Sequence, residues 1–86
     1  ALHLMNNELL RRLANAFAER VSHEKPGVLS EKMRHAFRLA LGREASAKEI
    51  DLAKRKLGPL AKRDGNQALQ AFCHALFNAA EFVYVD

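Results

Sequence analysis

The chain has no threonine, three serines and one cysteine, and these shortages exclude a good deal. One cysteine cannot form an internal disulfide or an all-cysteine metal site, and it leaves the redox compartment undecided. No glycine-rich phosphate loop and no strained G-x-S-x-G elbow is present. No apolar run reaches the roughly 18–20 residues of a membrane span, and no signal-peptide pattern is visible. Internal repeats and low-complexity tracts are also missing.

What is there is globular. Of 86 residues, 49% are hydrophobic and 28% charged, which suits one folded domain with a modest core and not a disordered chain. A chain this short buries only about 60% of its unfolded surface. The first residue, Ala1, falls inside what reads as an ongoing helical pattern, so residues 1–86 are read as one helical domain excised from a larger protein. The net charge of +4 is unevenly placed. Lys48, Lys54, Arg55, Lys56, Lys62 and Arg63 stand against Glu49 and Asp51, so the segment 48–63 carries the whole excess.

Hydrophobic spacing predicts four amphipathic helices with short connections, an all-α bundle. Leu9, Leu10, Leu13, Ala14, Phe17 and Val21 form the first stripe, with Asn6 or Asn7 as N-cap and His23-Glu24-Lys25-Pro26-Gly27 as terminator. A second helix is expected from Ser30 as its cap, burying Leu29, Met33, Ala36, Phe37, Ala40 and Leu41, and ending at Gly42. Ser46 and Glu49 then make the S-x-x-E capping box of a third helix. That helix buries Ile50, Ala53, Leu57, Leu60 and Ala61, and is expected to kink or break at Gly58-Pro59. A fourth, from near Asn66, carries Leu69, Phe72, Cys73, Leu76, Phe77 and Ala80. The tail from Glu81 to Asp86 reads as an extended end, or a last turn with Phe82 packed back on the bundle.

Several residues invite chemistry that the plainer reading absorbs. Cys73-His74 lacks the first cysteine of a C-x-x-C-H haem site, since position 70 is Gln70. His3, His23, His35 and His74 show no ligand spacing, and Glu31 with His35 makes two weak ligands at most. Ser30 and Ser46 read as N-caps, and Ser22 has no partner base. No catalytic, cofactor-binding or metal residue is assigned, no small-molecule ligand is expected, and the chain is read as non-enzymatic. The basic third helix admits an alternative. Arg55, Lys56, Lys62 and Arg63 could contact the phosphates of a nucleic acid, although no aromatic and no base-reading Asn or Gln stands among them. Arg43 is expected to bond to a carboxylate or carbonyls at the end of the fourth helix, near Asn78 and Glu81, tying its loop to the tail.

Leu4-Met5-Asn6-Asn7, Ala18-Glu19-Arg20-Val21, the unit Arg38 to Glu44 with Ser46 and Glu49, Phe72 to Asn78, and Glu81-Phe82-Val83-Tyr84-Val85-Asp86 together cover nearly the whole chain. In these residues it resembles the C-terminal helical end of large secreted planctomycete proteins that combine cytochrome-c-like modules with domains of unknown function. Where that family usually has proline after L-G-R-E, this chain has Ala45, which should loosen the loop slightly. The resemblance implies a secreted or periplasmic parent and transfers no catalytic residue; any haem would belong to modules elsewhere in that parent. The function expected is a non-catalytic structural or protein-interaction module. Its partners would be the rest of the parent chain, or a second copy through apolar ends at Leu2, Leu4, Met5, Phe82, Val83 and Tyr84.

Overall fold

The computed structural model of the chain describes the backbone of residues 7–83 and the side chains of residues 8–79. Four helices follow one another: α1 (Asn7–Glu24), α2 (Leu29–Leu41), α3 (Ala47–Arg63) and α4 (Gly65–Val83). The all-α bundle expected from the periodicity is the fold, with no strand among the described residues.

The architecture is organised around α4, which packs on each of the other three helices. Its sequence explains this place: no charged residue occurs between Gly65 and Ala80, so its surface can be covered on several sides without stranding a charge. Ala68, Leu69, Phe72, Cys73 and Leu76 are buried along it. Leu69, Phe72, Cys73 and Leu76 meet Ala14, Ala18 and Val21 of α1, Met33, Ala36 and Phe37 of α2, and Ile50 of α3 in one continuous core. Phe17 and Phe77 add a tilted ring contact between α1 and α4, with centroids 5.2 Å apart.

Local rules account for most boundaries. Gly42 takes φ 74°, a left-handed conformation that suits glycine, and its N–H closes α2 on the carbonyl of Arg38 at 2.9 Å. Asp64 serves both sides of a one-residue junction. Its N–H donates to the carbonyl of Leu60, and its Oδ1 accepts from the N–H groups of Asn66 and Gln67. The fourth helix therefore starts one residue before Asn66, on an aspartate cap.

Other expectations are corrected. The cap of α2 is Val28, with no side-chain bond, and Ser30 lies inside the helix. Starting at Leu29 brings that side chain onto the core, which outweighs the serine's capping preference. On α1 the buried line is Leu10, Ala14, Ala18 and Val21, while Leu9 and Leu13 are 42% and 43% exposed. The helix is rotated toward the side where small Ala14 and Ala18 let α4 approach closely. Gly58-Pro59 does not break α3, which runs on as a single α-helix. Pro59 points to solvent, so water can serve the Arg55 carbonyl that the missing N–H leaves unpaired. The tail is helical through Val83, so the extended reading fails for residues 81–83. The packing of Phe82 and the course of 84–86 lie outside the described residues, as do Leu2, Leu4 and Met5.

Candidate functional site

The polar residues of the α2–α3 loop are occupied with one another. The N–H of Glu49 donates to Ser46 Oγ at 3.1 Å and the N–H of Ser46 donates to Glu49 Oε1 at 2.8 Å, completing the capping box. The same carboxylate takes both terminal nitrogens of Arg43, at 3.1 and 2.9 Å, in a two-pronged pair. Arg43 also donates to the carbonyl of Glu44 at 3.2 Å and lies over the ring of Phe37, 4.8 Å from its centroid. Among the described residues Arg43 is thus bonded across its own loop, and the Glu81 side chain expected near it at the end of α4 lies outside them. Glu49 already faces that loop through the capping box, and a carboxylate has lone pairs enough for both partners. The guanidinium beside Glu49, with the Ser46 N–H second, holds its carboxyl at about 2. Ala45 does not leave the loop loose: it is 8% exposed and seated in the core.

The histidines and the cysteine do not converge. His35 is half-buried, and its Nε2 meets Glu24 Oε1 at 2.9 Å, not Glu31. Glu24 also takes Arg20 at 2.8 Å, so this carboxylate clasps α2 to the end of α1. His74 keeps its Nε2 buried with no hydrogen-bond partner among the described residues. Cys73 is fully buried, and burial pushes its thiol up to about 12. No group of three His, Cys, Asp or Glu with metal-holding geometry occurs among the described residues. None of the described helices is long and apolar enough to cross a membrane.

A cleft of about 450 Å³ opens between α1 and the start of α4, lined by Asn15, Glu19, Ser22, His23, Asn66 and Gln70 over a floor of Ala18 and Leu69. Its size suits a small ligand. Ser22 and His23 make no hydrogen bond to each other among the described residues, so no nucleophile and base are paired there.

The outer face of α3 is different in kind. Lys48, Arg55, Lys56, Lys62 and Arg63 are all exposed there, and none has a carboxylate partner among the described residues. Of the six arginines elsewhere, five are compensated within the fold, Arg11 and Arg12 by Glu8, Arg20 by Glu24, Arg38 by Glu44 and Arg43 by Glu49, while Arg34 has no carboxylate partner among the described residues. Between the cations of α3 lie two exposed apolar residues, Pro59 and Leu52, the latter 49% exposed. The sequence reading noted the cations and missed this apolar pair, whose seven-residue spacing was the available signal. The face is positively charged around an exposed apolar centre.

Comparison of the chain with protein-family models, with curated proteins and with solved structures gives no match.

Proposed function

We propose that this chain is a non-catalytic helical module of a larger secreted protein, there to dock on the rest of its parent or on a partner. One observation carries the reading. The fold neutralises most arginines of α1, α2 and the following loop internally, yet the cations of α3 around an exposed leucine and proline have no carboxylate partner among the described residues. The groups that could have served chemistry support it too. Ser46, Glu49 and Arg43 are spent on holding a helix start, and Cys73 is sequestered as a neutral thiol. The secreted parent rests on the resemblance of the loop and tail motifs.

Sedimentation velocity on a mixture of this chain with the separately expressed remainder of its parent tests the proposal. A co-sedimenting complex is expected, and two independent boundaries at high concentration would overturn it. The same run with the chain alone reports any self-association through the apolar ends.

A further inference from the structure

We infer that the outer face of α3 is the docking surface of this module and that its partner is an acidic amphipathic helix of a protein. This rests on the interaction reading above and names its face and its chemistry.

Residues seven apart on a helix return to nearly the same line, and those three or four apart are neighbours. Leu52 and Pro59 therefore form an apolar row about 10.5 Å long, on the side of α3 away from buried Ile50. Lys48, Arg55 and Lys62 run along one side of that row, and Lys56 and Arg63 along the other. Leu52 is thus surrounded by Lys48, Arg55 and Lys56, and Pro59 by Arg55, Lys56, Lys62 and Arg63. The face is an apolar centre with a charged rim, which is the anatomy of a protein interface. Two α3 carboxylates lie near it: Glu49 is held by Arg43, and Asp51, three residues from Lys48 and four from Arg55, makes no ion pair among the described residues and offsets one of the five rim charges, which leaves the face positive.

The apolar row decides between acidic partners. A phosphate backbone would satisfy the cations but give Leu52 and Pro59 nothing to pack against. The helix also has no aromatic residue to stack on a base and no Asn or Gln to read a base edge. An anionic bilayer fits poorly as well, because the apolar stripe of α3 through Ile50, Ala53 and Leu57 is already packed against the core. A partner helix with apolar residues seven apart, flanked by Glu or Asp at three- and four-residue offsets, matches both the row and the rim. Helix against helix, such a face also permits the close ridge packing seen between helices generally.

The test is fluorescence anisotropy with the full 86-residue chain. The probes are a labelled acidic helical peptide with two leucines in that register, a peptide of identical composition with the leucines out of register, a short DNA duplex, and vesicles of phosphatidylcholine with phosphatidylglycerol. The registered peptide is expected to bind at least about tenfold tighter than its mismatched twin, and tighter than duplex or vesicles. Leu52→Asp should abolish the preference for register, whereas Arg55→Glu should weaken both peptides and reduce the salt dependence. Leu52 is exposed, so circular dichroism should show both variants folded. Equal binding of the two peptides, preference for duplex or vesicles, no binding of the registered peptide, or an unchanged Leu52→Asp variant would each overturn the inference. If Leu52→Asp leaves the complex with the remainder of the parent intact, the face is wrong and the module reading stands. If the unmodified chain forms no such complex, the reading itself fails.

Discussion

Leu69→Ala should cost this protein a large part of its stability. Leu69 is 2% exposed and belongs to the core on α4, the helix that packs on the other three. It also floors the cleft toward α1 and a smaller one beside Gly27, Leu29 and Lys32 of the α1–α2 junction, so neighbours on two sides lose contact at once. The truncation removes three buried carbons at about 0.8 kcal/mol each, and the void it leaves raises the loss to about 3 kcal/mol. A domain of this length has roughly 4–13 kcal/mol in all, so the variant should melt some 12–24 °C lower by about the usual proportion for small domains. Urea titration followed by helical circular dichroism measures the change, with Leu39→Ala as the control. Leu39 is 41% exposed, and its truncation should stay within about 0.5 kcal/mol. A Leu69→Ala loss below about 1 kcal/mol, or one equal to that of Leu39→Ala, would refute the placing of α4 at the centre of the core.

Three further outcomes are expected. Ser46→Ala should lose about 1 kcal/mol by orphaning the Glu49 N–H at the start of α3, and an unchanged urea midpoint would contradict the capping box. Acid should weaken the fold through Glu49, whose carboxyl is held at about 2 in the folded chain against an ordinary value of 4.5. Protons then bind the unfolded chain first, so this contribution is complete above about 4.5 and is lost as the pH falls toward about 2. Glu8 and Glu24, held low by Arg11 and Arg20, act in the same direction. A Glu49→Gln variant should show a shallower acid decline, and an identical profile would remove Glu49 from the account. Finally, Cys73 should resist a thiol reagent at neutral pH until urea unfolds the chain, because its thiolate is suppressed by burial; rapid labelling of the native protein would show that α4 is not closed over it.

What was legible in the sequence was mostly local. Gly42, Ser46 and Glu49 act through bonds that reach only three or four residues, and the structure makes those bonds as expected. The phase of α1 was not legible in the same way. Leu9, Leu10, Leu13 and Ala14 form a stripe wider than the buried face, and only the approach of α4 decides which edge goes inside. Ser30 misled because its intrinsic capping preference is worth about 1 kcal/mol, less than the gain from carrying Leu29 onto the core. The pairing of Arg43 with Glu49 was not legible, because a long, flexible cation can reach many acceptors and sequence alone does not rank them. The Leu52–Pro59 row was written in the spacing, but its exposure depends on α3 turning Ile50, and not Leu52, toward α4. Asp64 shows the opposite case: an aspartate before glycine between two helical patterns is a local signal, and it both closes the third helix and caps the fourth.

The proposed role of this protein depends on the outer face of α3 being where a protein partner lands. Titrating the registered acidic peptide into isotopically labelled protein and following each backbone amide by NMR tests this directly. Shifts should concentrate at Lys48, Leu52, Arg55, Lys56, Lys62 and Arg63, with the amides of α1 and α2 unmoved. Shifts centred instead on Asn15, Ser22, His23 and Asn66 at the α1–α4 cleft, or spread evenly over the chain, would contradict it.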